Sequence, residues 1–159
     1  RGKGIDLHEL SKLRGRLPVS TVIKIAIQLA NIIKYLRNFT MLSASGQFEN
    51  KPIVHGDIKP SNLMWDEVTE TLSLIDWGSC VFAQLDENAQ PVVNNVMELM
   101  SADMQNTNAR LGDVYFIGDE QLNGALSNTR FDEQGAAATL YAIASNQNCR
   151  YGYNAIPPN

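Results

Sequence analysis

A mainly α chain with one small β-hairpin is the fold class this sequence predicts, on three observations. Val22, Ile25, Ala26, Leu29, Ile32, Ile33 and Leu36 recur at spacings of three and four, which puts one apolar stripe on a long helix. Residues 132–145 are apolar around most of a helical circumference, the pattern of a buried helix. Between these stretches, the apolar runs 63–65 and 72–76 flank a turn-like Asp66-Glu67-Val68-Thr69-Glu70, which reads as a hairpin.

The remaining elements follow in chain order. Leu7, Leu10 and Leu13 recur every third residue and predict a short helix within residues 1–17. His8 lies in it and takes no role, since a lone histidine on an exposed face is ordinary surface. Pro18 suits the first position of the long helix, where its missing N–H costs nothing. Residues 38–50, with Ser43, Ser45, Gly46 and Asn50, predict an exposed loop. Ile53-Val54 predicts a short strand. Residues 79–111 form a long polar segment. Within it Val93, Val96, Met97, Met100 and Met104 fall at helical spacing after Pro91, predicting an amphipathic helix over 92–104 that packs on the body. A Met-rich docking or autoinhibitory element is the alternative for that face. The tail from Asn148, with Pro157-Pro158, reads as loop.

Composition narrows the function. The chain has 159 residues, 44% hydrophobic and 19% charged, enough for one domain with a core. A net charge of −4 gives no nucleic-acid footprint. No run looks apolar enough to span a bilayer, because Lys24, Gln28 and Asn31 interrupt the best one, and no signal peptide is present. Cys80 and Cys149 match no metal spacing, and reduced thiols in a cytoplasmic protein are expected, with a single disulfide left open. The chain starts at Arg1 and not at Met, so the expectation is a piece of something longer.

The chemistry sits at the hairpin. His55-Gly56-Asp57-Ile58-Lys59-Pro60-Ser61-Asn62 and, after the second run, Asp76-Trp77-Gly78 put two carboxylates, an amide and an ammonium on two short loops. Phosphoryl transfer needs such a set. One carboxylate orients the attacking hydroxyl, a cation covers the moving phosphoryl group, and two oxygen donors hold magnesium.

These two motifs resemble the catalytic loop and metal-binding tripeptide of eukaryotic-type Ser/Thr protein kinases. The resemblance implies that Asp57 is the catalytic base and that Lys59 contacts the transferred phosphate. It implies that Asn62 and Asp76 bind Mg, that Ser61 belongs to the ATP site, and that Met64 lies under the adenine. It also implies a protein-kinase-like large lobe, of which residues 1–159 are the central part. The small lobe with its Gly-rich loop and second lysine, and the final helices, would belong to the same parent chain. The chain alone is then expected to transfer no phosphate. Residues 112–122 resemble the loop that closes the activation segment, with Glu120 at the family's glutamate. Three positions there depart: Asp113 for threonine, Phe116 for tyrosine and Asp119 for proline. A carboxylate at 113 would repel Asp57 or compete for Lys59. Asp132 stands where the family holds the backbone of the catalytic loop, and capping the helix start is an equally good role for it.

The function implied is ATP-dependent transfer to Ser/Thr hydroxyls of a protein substrate. Two alternatives remain. A pseudokinase that binds or scaffolds draws on Asp113. A small-molecule phosphotransferase draws on Gly56 and Trp77, which match that group's His-Gly-Asp and Ile-Asp-Trp, although such enzymes commonly lack the lysine.

Overall fold

The computed structural model describes residues 4–83 and 130–147. The predicted helix 92–104, the loop 112–122 with Asp113, Phe116, Asp119 and Glu120, and Cys149 lie outside the described residues.

The chain opens with strand β1 (Ile5–Asp6) and turns directly into α1 (Leu7–Arg14). Asp6 makes the turn by accepting the Glu9 N–H at 2.9 Å, satisfying one of the four free donors at a helix start. Leu7 and Leu10 are buried, but Leu13 is 73% exposed. The expected single stripe fails because a spacing of three advances 300° per step. By the third leucine the side chain has rotated about 120° off the buried face.

Helix α2 (Val19–Arg37) follows Pro18, as its sequence predicts. Ile25, Leu29, Ile33 and Leu36 are its buried positions. By length and composition this helix is apolar enough to cross a membrane, which corrects the expectation that no run is. Its buried stripe nevertheless packs into the protein core, leaving Ile23 and Ile27 more than half exposed on the opposite side.

Residues 38–50 are not a plain loop. They form a hairpin, β2 (Thr40–Leu42) against β3 (Phe48–Asn50), with Leu42 opposite Phe48. All six strand residues are exposed, so neither face carries the alternation that would betray a strand in sequence. β4 (Ile53–Val54) pairs antiparallel with β7 (Val81–Phe82), a strand inside the segment expected to be polar loop.

The predicted central hairpin is present. β5 (Leu63–Asp66) pairs with β6 (Thr71–Leu74) in the register Leu63 with Leu74 and Trp65 with Leu72, and β1 adds a third strand on the other edge of β5. Leu63 and Trp65 point into the core. Asp66 Oδ1 accepts from Val68 N at 2.9 Å and Thr69 N at 3.3 Å, the Asx geometry that tightens a turn. With three helices and three small sheets, the described residues are mixed α and β, in place of an α body with a single hairpin.

Helix α3 (Arg130–Ser145) lies across α1, α2 and the motif loop. Its buried residues, Phe131 to Ile143, fall within about 160° of arc, with Glu133, Ala137, Tyr141 and Ala144 exposed, so the helix is buried on one face and not, as its composition predicts, around most of its girth. Arg16 Nε and Leu17 N donate to the Ser145 and Ile143 carbonyls at 3.1 Å, occupying acceptors that the last helical turn leaves free. One core joins Leu7, Leu10, Ile25, Leu29, Leu63 and Ile143. A smaller one joins Val54, Ala83 and Phe131.

Gly135 decides how near α3 comes to the motif loop. A Cβ there would sit 2.6 Å from Ile58 O and 3.2 Å from Ile58 Cβ. Alanine is favoured over glycine within a helix by about 1 kcal/mol, but overpacking a rigid backbone contact costs about 1–3 kcal/mol or more. Gly135→Ala is therefore expected to destabilise the chain in urea unfolding, while Ala137→Ser on the exposed side of the same helix shifts stability by less than about 0.5 kcal/mol.

Candidate active site

Asp132 fastens the motif loop to the body. It is 3% exposed, and its two oxygens accept the His55 and Gly56 amides at 2.8 and 2.9 Å. It lies in the first turn of α3, but these loop amides are what its carboxylate binds, and this decides between the two roles its sequence position allowed. Burial pushes its carboxyl above the ordinary range, against the two amide bonds and the charges of His55 and Arg37.

Gly56 has φ +77°, in the left-handed region, and a Cβ there would lie 3.0 Å from Ser79 O. Only glycine fits without strain. The loop thereby turns sharply between His55 and Asp57.

His55 is fully buried. Asp57 N donates to its Nδ1 at 3.3 Å, so the ring proton sits on Nε2 and is donated to Ile75 O at 3.1 Å. The ring stands edge-on to Trp77, with centroids 5.0 Å apart. Burial lowers its pKa below the ordinary 6.5, against the opposing pull of Asp132, the Ile75 carbonyl, Asp57 and Asp76. The sequence offered His55 only as part of a motif. Its role as the strut between the two loops needs the fold to be seen.

Asp57, Lys59 and Asn62 converge. Lys59 Nζ lies 2.9 Å from Asp57 Oδ2, and the two side chains are 22% and 12% exposed. Asn62 Nδ2 donates to Asp57 O at 2.8 Å and to Asp57 Oδ2 at 2.9 Å. That orients the amide and leaves Oδ1 as the atom that can face a cation. A 3-10 turn (Pro60–Asn62), with Pro60 at its start, carries Asn62 back over Asp57, and Asn62 N donates to Lys59 O at 3.0 Å. Ser61 is exposed on this turn. Met64 is half-buried on β5, its side chain on the face opposite Leu63 and Trp65.

The fourth predicted residue, Asp76, reaches the same neighbourhood along β6. Asn62 O accepts Ile75 N at 2.9 Å, so the two motif loops sit side by side at one end of the hairpin. Asp76 is left-handed (φ 63°, ψ 74°), an uncommon backbone for a non-glycine residue and one that clusters at functional sites. Among the described residues, its exposed carboxylate accepts a long 3.4 Å bond from Gly78 N.

Among the described residues, no three His, Cys, Asp or Glu side chains form a metal cluster. Asn62 Oδ1 and the Asp76 carboxylate are two hard oxygen donors. They fit magnesium, which keeps water and phosphate as its other ligands and does not need an all-protein cage.

No protein-family model matches the chain. Serine/threonine-protein kinase 12 of Arabidopsis thaliana is 24% identical to it over 143 residues, which are 86% of this chain and 29% of that protein. The structure of the Cydia pomonella granulovirus kinase PK-1 superposes with a TM-score of 0.60 at 21% identity, covering 93% of this chain and 42% of that one. The chain thus spans less than half the length of either.

The sign of the His55 shift yields a pH dependence. Folding favours the neutral ring, so the unfolded chain binds the extra proton below pH 6.5. The contribution of His55 to stability is complete above 6.5 and is lost as pH falls from there through the lower folded value. In urea unfolding at pH 7.5 and 5.5, wild type is expected to lose more stability on acidification than His55→Gln; parallel losses would mean that His55 is not the titrating group. The chain has a protein-kinase-like fold, and within it Asp57, Lys59 and Asn62 are gathered on one loop.

Proposed function

We propose that this chain is the catalytic-loop part of a protein kinase, which transfers phosphate from ATP to a Ser or Thr hydroxyl of a protein substrate. The observation that carries the reading is the Asp57–Lys59–Asn62 group, joined at 2.9 Å or less and mostly buried, beside the left-handed turn at Asp76. Bound Mg-ATP would supply the phosphoryl group and much of the charge neutralisation. The protein's own residues do the rest. Asp57 accepts the substrate hydroxyl proton, and the Lys59 ammonium faces the charge that develops on the transferred group. Asn62 and Asp76 hold magnesium, and Ser61 and Met64 line the nucleotide site. The Asp57–Lys59 contact at 2.9 Å holds that carboxylate in place beside the ammonium.

Gly56 bears on regulation. Many kinases place at this position an arginine that pairs with a phosphorylated activation-segment residue. A side chain at 56 would need the left-handed backbone and would meet Ser79 O. A phosphate on Ser79, Ser101 or Thr107 therefore lacks that partner. Residues 79–111 also carry Asp86, Glu87, Glu98 and Asp103 against Arg110, so added negative charge is repelled.

Two experiments test the reading in the full-length parent protein. Asp57→Asn is expected to cut transfer ~10²–10⁴-fold while leaving Mg-ATP binding nearly intact, and Asp76→Asn is expected to weaken the metal-dependent part of binding as well. Near wild-type transfer by Asp57→Asn removes the assignment, and nucleotide binding without transfer in wild type turns it to a scaffold. Phosphatase treatment is expected to leave the rate within tenfold; a larger loss traced to Ser79, Ser101 or Thr107 contradicts the reading of Gly56.

A further inference from the structure

Gln28 interrupts the apolar stripe of α2, and nothing proposed so far uses it. Its amide bonds twice to the central hairpin. Nε2 donates to Glu70 O at 2.9 Å, and Oε1 accepts Leu72 N at 2.9 Å. Both groups are backbone, one at the end of the turn and one on β6. Leu72 N points away from β5, because β6 bonds β5 through alternate residues, and the Ile75 N to Asn62 O bond belongs to the β5 side. Leu72 is 9% exposed, so removing Gln28 takes away the partner of a largely buried N–H.

The other end of β6 carries the site. Three residues after Leu72, Ile75 donates to Asn62 O and receives His55 Nε2 through its carbonyl, and Asp76 then enters its left-handed turn. A non-glycine residue holds that conformation only where its surroundings over-determine it. Beside its ladder to β5, β6 is tied to α2 at Leu72 and to the motif loop at Ile75, and Asp76 follows the second tie. A shift of β6 on α2 would act on the Ile75 N to Asn62 O bond, and through it on the placement of Asp76 beside Asn62, which sits on the 3-10 turn ahead of β5.

We propose that Gln28 is a positioning residue for the metal-binding pair, fixing β6 on α2 so that Asp76 stays in register with Asn62. This rests on the function proposed above. Lys24 supplies the control. It pairs with the Glu70 carboxylate at 2.5 Å in the same turn, but both side chains are about half exposed, and it holds no backbone group of the hairpin. Such a pair contributes little.

The experiment compares wild type, Gln28→Leu and Lys24→Ala in the full-length parent. It reads the Mg²⁺ concentration for half-maximal phosphoryl transfer, the KM for protein substrate, and hydrogen exchange at the amides of Ile75 and Gly78. Gln28→Leu is expected to raise the Mg²⁺ requirement at least fivefold and to speed exchange at Ile75, with substrate KM within twofold; Lys24→Ala is expected to change neither. If Gln28→Leu lowers only the amount of folded protein, and the folded fraction keeps the wild-type Mg²⁺ requirement, Gln28 is merely structural and the proposal is overturned. If wild type itself shows no metal-dependent transfer, the parent reading fails and takes this proposal with it. The two failures are distinct, since the second is visible before any substitution is made.

Discussion

The contact between the Asp132 carboxylate and the amides of His55 and Gly56 is the constraint on which the rest of the site depends. A buried carboxylate is costly unless its charge is matched by donors. Here the donors are two successive backbone N–H groups of the loop that carries the chemistry. The stabilisation works both ways. The loop gains a fixed path, and the carboxylate gains the hydrogen bonds that offset its removal from water. Gly135, one turn further along α3, allows the helix to approach to within van der Waals contact of Ile58. Together they make α3 the floor of the site.

A second layer of the arrangement runs through His55. Its ring accepts from the amide of Asp57 and donates to the carbonyl before Asp76, so one neutral imidazole joins the two carboxylate-bearing segments. A protonated ring could not accept from Asp57 N, and burial favours the neutral form that does. The polar atoms of the site are in this way placed by groups that are themselves buried, His55 and Asp132.

Much of this was legible in the sequence, for reasons that differ by element. Helices α2 and α3 and the β5–β6 hairpin were readable because one face of each is buried, and burial writes a period into the residues. β2 and β3 were not readable, since both faces meet water and no period is imposed. β1 and β7, two residues each, were not readable either, although the equally short β4 was, from Ile53-Val54. Within the site, the convergence of Asp57, Lys59 and Asn62 follows from their spacing across one tight loop. The hold of Asp132 on residues 55 and 56 joins positions more than seventy residues apart, where a helix cap explained the same aspartate equally well. Gln28 looked like a flaw in an apolar stripe and is instead the one polar group on that stretch of α2 that binds hairpin backbone. A start signal was present and unused at Asp6-x-x-Glu9, whose acidic N-cap marks the first residue of α1.

The backbone at residue 56 also limits what this protein can become. Any other residue there would adopt a left-handed conformation at a cost of about 1–2 kcal/mol. It would also push into the carbonyl of Ser79. A lineage carrying this loop therefore cannot acquire an arginine at that position by a single codon change and keep its geometry. The turn at 56 and the path of the chain at 79 would have to change together. Two adjustments, each harmful alone, form a valley between this loop and one that senses phosphate, and engineering across it would have to begin at residue 79.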